Sequence, residues 1–129
     1  MNVLSTQDDD GKEPLVNYLW KNIPNLGAIM LINNDGDIIH QKTSPKFEKE
    51  HDVSRLKYIA RKVSVRFKIV DFDKEMGGLA MTINVFKGNT IMLVRSLNPT
   101  HLIVMMMPIH NDISTTLNFM KDVKEWPIT

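Results

Sequence analysis

The chain has 129 residues, 43% apolar and 24% charged, with a formal net charge of +1. That is the length of one ordinary domain and close to the globular average in composition, which argues against bulk disorder, and near-neutral charge gives no global argument for nucleic acid. With no cysteine, disulfides, iron–sulfur clusters and thiolate zinc sites are excluded, and no apolar run approaches the roughly 18 residues of a membrane helix.

The opening "MNVLSTQDDDGKE" has no basic start followed by a long apolar segment, so no signal peptide is expected and a cytoplasmic location is. Residues 1–11 are polar and end in "DDDG", the pattern of a flexible arm, which leaves a single domain over 12–126. "KEPLVNYLWKNI" predicts a helix: Pro14 suits its first turn, and Leu15, Tyr18, Leu19 and Ile23 form one apolar stripe. "GAIMLIN" (27–33) is apolar at nearly every position, as in a strand covered on both faces. "DIIHQKT" (37–43) is more polar and predicts a neighbouring edge strand, and "SPKFEKEHD" predicts a loop.

"VSRLKYIARKVSVRFKIV" gives the clearest helical period, with Val53, Leu56, Ile59, Ala60, Val63 and Phe67 inward and Asp52 as N-cap. Its other positions carry Arg55, Lys57, Arg61, Lys62, Arg66 and Lys68. Three strands follow over 79–86, 90–97 and 101–107, joined by connections short enough for hairpins. "NDISTTLNFMKDVKEW" predicts a last helix, capped by Asn111 or Asp112, with Ile113, Leu117, Met120 and Val123 inward.

The two doubly apolar strands, 27–33 and 101–107, belong together in the middle, and the mixed strands at the edges. The expected fold is therefore α+β: a five-stranded antiparallel sheet in the order 2-1-5-4-3 with helices on both faces. Strand 79–86 would leave an edge with no charge between Leu79 and Phe86. An unblunted edge of this kind is a pairing surface for another subunit.

Three stretches carry a family resemblance. "NIPNLGAIMLINNDGDII" is similar to the opening of the roadblock/dynein light-chain family, "RLKYIARKV" to the start of its long central helix, and "GGLAMTINVFKGNTIMLVRSLNPTHLIVMM" to its three-strand meander. The resemblance covers residues 13–125 and rests on apolar patterns and turns. It implies a non-enzymatic dimer without cofactor, pairing through the central helix and third strand with itself or with a roadblock paralogue. In this chain those elements place Leu56, Ile59, Val63, Leu79, Met81, Ile83 and Val85 at the interface. It also implies a platform for a Ras-like small GTPase, with membranes reached only through partners. The central helix departs from the family in being unusually basic.

The residues themselves offer little catalytic chemistry. "NNDGD" resembles a calcium loop, but setting Gly36 at position 6 puts Leu31 at position 1 and Lys42 at position 12, so both ends fail. Asn and Asp followed by Gly between apolar runs is instead a hairpin signal. Gly11-Lys12 is followed by Glu13, and Gly77-Gly78 precedes a strand, so neither makes a phosphate loop. The histidines His40, His51, His101 and His110 have no metal-ligand spacing. Asp71, Asp73 and Glu75 fit a solvated turn better than an acid/base pair. In "MMM" at 105–107 only Met105 and Met107 share a strand face, which favours core packing over soft-metal binding.

The basic residues Arg55, Arg61, Lys62 and Arg66 have two readings, an ordinary solvated helix face or a contact for an acidic protein, a phosphate-rich surface or anionic lipid. Nucleic acid fits poorly, because the stretch lacks interleaved aromatics. A small-ligand sensor of the PAS or GAF type shares the sheet order and would need an internal cavity of roughly 300 Å³ or more. A longin-type trafficking domain is a further alternative, disfavoured by the helix before the first strand.

Overall fold

The computed structural model describes residues 12–69, 79–98 and 101–123. The expected N-terminal arm, the carboxylates Asp71, Asp73 and Glu75, the pair Gly77-Gly78 and the end of the last expected helix lie outside the described residues. The elements run α1 (Lys12–Asn22), β1 (Ala28–Asn33), β2 (Ile38–Thr43), α2 (Pro45–Glu50), α3 (Leu56–Ile69), β3 (Met81–Phe86), β4 (Thr90–Asn98), β5 (His101–Pro108) and α4 (Ile113–Val123). The strands form one antiparallel sheet in the order β2-β1-β5-β4-β3. No helix among the described residues is long and apolar enough to cross a membrane.

The order follows from burial. β1 and β5 are buried on both faces, so they take the centre, where each strand has two neighbours and a helix layer on either side. On one face, Leu15 and Leu19 of α1, Ile23 just after it, and Met120 of α4 pack against Ile29, Leu31, Ile103, Met105 and Met107. On the other, Leu56, Ala60 and Val63 of α3 pack with Phe47 against Ala28, Met30, Ile32, Val104 and Met106. The three consecutive methionines thus divide between two cores by strand alternation, and their flexible thioethers fill both.

One expected loop is partly helical. Residues 45–50 form α2, because Ser44 caps it by accepting from the Phe47 N–H at 3.0 Å and Pro45 occupies its first turn. Phe47 anchors it in the α3-side core. The next helix does not start directly at its cap. Asp52 accepts from the Ser54 N–H (3.0 Å) and hydroxyl (2.7 Å), holding a 3-10 turn over Val53–Arg55 that leads into α3.

Asp112 caps α4 by accepting from the N–H groups of Ser114 (2.9 Å) and Thr115 (3.4 Å) and from the Thr115 hydroxyl (2.7 Å). The Thr115 hydroxyl and N–H hold this carboxyl below its ordinary value. A folded-state pKa below the unfolded one stabilises above the unfolded pKa, and the contribution is lost as pH falls through the folded value. Asp112→Ala should therefore lower the melting temperature at neutral pH. The gap to the parent should close well below the unfolded-state pKa of about 3.8, as scanning calorimetry over that range would show.

The "NNDGD" segment is the β1–β2 turn. The Asn33 side-chain oxygen accepts from the N–H groups of Asp35 (2.9 Å) and Asp37 (3.0 Å), the Gly36 N–H donates to the Asn33 carbonyl, and Gly36 adopts φ +82. The turn also seats α3. The Ser64 hydroxyl, buried on that helix, donates to the Asn34 carbonyl at 2.9 Å.

Candidate interaction surface

The two sheet edges differ in chemistry. β2 is protected: a register shift between Leu31 and Ile32 breaks the regularity of its pairing, and it carries His40 and Lys42. Irregular pairing and charge both discourage strand addition. β3 has neither device. It pairs with β4 without interruption from Met81↔Arg95 to Phe86↔Thr90 and contains no charged residue and no proline.

Register fixes which backbone groups β3 leaves free. The Ser96 N–H donates to the Ala80 carbonyl (2.8 Å) and the Asn89 N–H to the Phe86 carbonyl (3.0 Å). Alternation then turns the backbone groups of Ala80, Thr82, Asn84 and Phe86 toward β4, and those of Met81, Ile83 and Val85 outward. The side chains at this edge are also uncovered: Ile83 is 42% exposed, Phe86 49% and Val85 62%. Leu79 and Met81 are half-buried, and Met81 packs against the α1/α4 core.

Beside this edge, on the α3 face, lies an open groove of about 490 Å³. It exists because α3 lies against β1, while the outer strands on that face have no helix of their own above them among the described residues. Phe47, Leu56, Val63, Phe86, Met92 and Met106 give it an apolar lining. Arg55 at the end of the 3-10 turn and Ile59, Lys62 and Arg66 of α3 supply its helical bank. Leu56 and Val63, expected at an interface, are buried in the protein's own core, and Ile59 is half-buried and lines the groove.

The four basic residues of the candidate partner face do not share one side of the helix. Arg55, Lys62 and Arg66 line the groove, whereas Arg61 lies on the opposite flank, against the β1–β2 turn, 3.9 Å from Asp37. Both side chains of that pair are more than half exposed, so it contributes little. Tyr58 (52% exposed) and Val65 (58% exposed) flank Arg61 on the outer surface of α3. These two exposed apolar residues were not singled out from the sequence, although spacings of three and four already set them on one helical stripe with Arg61.

A second open groove, of about 600 Å³, continues from the first at the other end of α2 and shares Phe47, His51, Thr90 and Met106 with it. Of its polar residues, Lys46, Glu50, Asn89 and His110 are exposed and Ser44 and Thr90 half-buried. Among the described residues no three His, Asp or Glu side chains are placed to hold a metal ion. On the α1/α4 face, the Arg95 Nε is buried without a hydrogen-bond partner.

No protein-family model and no curated protein matches the chain. Solved structures do. A roadblock/LC7 domain from Streptomyces avermitilis superposes with a TM-score of 0.69 at 12% identity, covering 86% of this chain and 89% of that one. The gliding protein MglB from Thermus thermophilus gives 0.74 at 13% identity, covering 94% and 87%. An MglB structure described as having a tetrameric arrangement gives 0.73 at 13% identity, covering 92% and 85%. The chain has the fold of the roadblock/LC7 domains.

Proposed function

We propose that this chain is a non-enzymatic scaffold that pairs with a second roadblock-fold subunit through β3 and α3 and, once paired, carries a Ras-like small GTPase. The observation that carries the pairing is the β3 edge: uncharged, regular, apolar on its exposed side chains, and bordered by an apolar groove beside α3. Strand addition there would satisfy the outward groups of Met81, Ile83 and Val85 and bring a second central helix over the groove. Assembly of an MglB with the same fold into a tetrameric arrangement supports self- or paralogue association.

The GTPase is an inference from the family resemblance, and the outer surface of α3 is the candidate contact. Tyr58, Arg61 and Val65 remain outside the groove, and Arg61 lies against the β1–β2 turn. The test is capture of Ras-like GTPases from the source genome, loaded with GDP or a non-hydrolysable GTP analogue, together with their hydrolysis rate in the presence of the chain. The expected result is nucleotide-dependent capture, reduced at least about tenfold by Val65→Asp with pairing intact. A GTPase panel that neither binds nor changes rate would remove the platform reading.

A further inference from the structure

We infer that the subunit fitting the α3 groove is not an identical copy but a second roadblock-fold chain whose central helix presents carboxylates. This rests on the pairing reading above and specifies its partner.

Arg55, the last residue of the 3-10 turn, and Ile59, Lys62 and Arg66 of α3 follow one another at steps of four, three and four, so they form a single stripe about 16 Å long. Three of the four are cations: Arg55 acts electrostatically on Asp52 nearby, whereas Lys62 and Arg66 have no ion pair among the described residues. Among the described residues the lining holds one carboxylate, Asp52, which already accepts from the Ser54 N–H and hydroxyl as the cap of the 3-10 turn. The opposite bank, formed by Phe86, Thr90 and Met92, is uncharged.

An identical copy would bring the same stripe. In a two-fold pair the interface is isologous, so each helix meets its own image across the axis. Three cations from each chain would then crowd one seam, against a single carboxylate from each, Asp52, among the described residues. Long basic side chains can swing toward water, so such a pair is disfavoured rather than forbidden. A helix bearing Asp or Glu along the facing stripe would convert the same contacts into charge-assisted ones and leave the apolar lining covered. The β3 edge does not choose between the two, because backbone pairing is indifferent to side-chain charge. Partner choice falls to the helix.

The sign of the salt dependence separates the cases. Screening strengthens a like-charged seam and weakens a complementary one. The probe is a charge-reversed copy, Lys62→Glu/Arg66→Glu, in which both replaced side chains are exposed and so leave the fold intact. Circular dichroism verifies that before mixing. Dissociation constants of the parent pair, the reversed pair and the mixed pair are measured by sedimentation, from about 50 mM to about 1 M salt.

The expected result is a mixed pair on the order of tenfold tighter than the parent pair at low salt, with the advantage fading at high salt. A parent pair as tight as the mixed pair at low salt, and abolished by Val85→Pro, would overturn this inference and leave the pairing reading standing. Absence of association in every combination, at low and high salt, would overturn the pairing reading and this inference with it.

Discussion

Val85→Pro should abolish pairing at micromolar concentration while leaving the monomer folded. Val85 is 62% exposed, and its N–H is among those that register turns away from β4. A proline there removes no bond of the protein's own sheet, the one circumstance in which an edge strand accepts it. In the pair, the same change deletes a ladder hydrogen bond and leaves a carbonyl of the other strand without its donor. Together these cost about 2–3 kcal/mol, on the order of a hundredfold in affinity. Asn84→Pro, one residue earlier, is the internal contrast, because its N–H faces β4 and its loss should destabilise the fold itself. Sedimentation equilibrium and circular dichroism on the two variants separate the effects. A Val85→Pro chain that binds the Lys62→Glu/Arg66→Glu copy as tightly as the parent chain does would place the contact elsewhere.

The second large effect lies at the β1–β2 turn. Gly36→Ala should destabilise the fold by about 2–4 kcal/mol. Two causes act together. The residue sits at φ +82, where a side chain is strained, and a methyl group there would lie 2.7 Å from the Arg61 Cα and 3.3 Å from the Ala60 carbonyl oxygen. The obstacle is helix backbone rather than a side-chain tip, so relief requires moving α3. Because α3 also forms one bank of the groove, the surviving folded protein should pair more weakly as well. Gly88→Ala is the control: nothing lies within 4 Å of a methyl group there, so its effect should stay within about 0.5 kcal/mol. Urea denaturation of both variants measures the difference, and equal stabilities would show that the turn does not set the position of the helix.

That coupling also shows where the sequence stops being legible. Sheet order could be read in advance, because β1 and β5 are apolar at successive positions and the mixed strands had to be edges. The turn at "NNDGD" was equally plain, since Asn and Asp before Gly announce a positive φ. Its second role was not, because a contact between Gly36 and a helix 25 residues further on leaves no periodic trace. The short α2 was hidden for a different reason. Six residues are too few for an apolar stripe, and its signals are a single cap, Ser44, and a single anchor, Phe47. The basic helix was visible as composition, but its division into a groove stripe and a separate Arg61 depends on how α3 is rotated over the sheet. Helical spacing alone contains that stripe without saying which flank faces the open strands.

Residue-resolved amide hydrogen exchange on the labelled chain shows whether β3 is the pairing edge. The chain is first mixed with an excess of its Lys62→Glu/Arg66→Glu copy, then measured alone at high salt. In either pairing, the amides of Ile83 and Val85 should be protected to a degree comparable with that of Asn84, whose N–H already bonds to β4. Fast exchange at Ile83 and Val85 beside a protected Asn84, under both conditions, would mean that the edge stays bare, and would contradict the account.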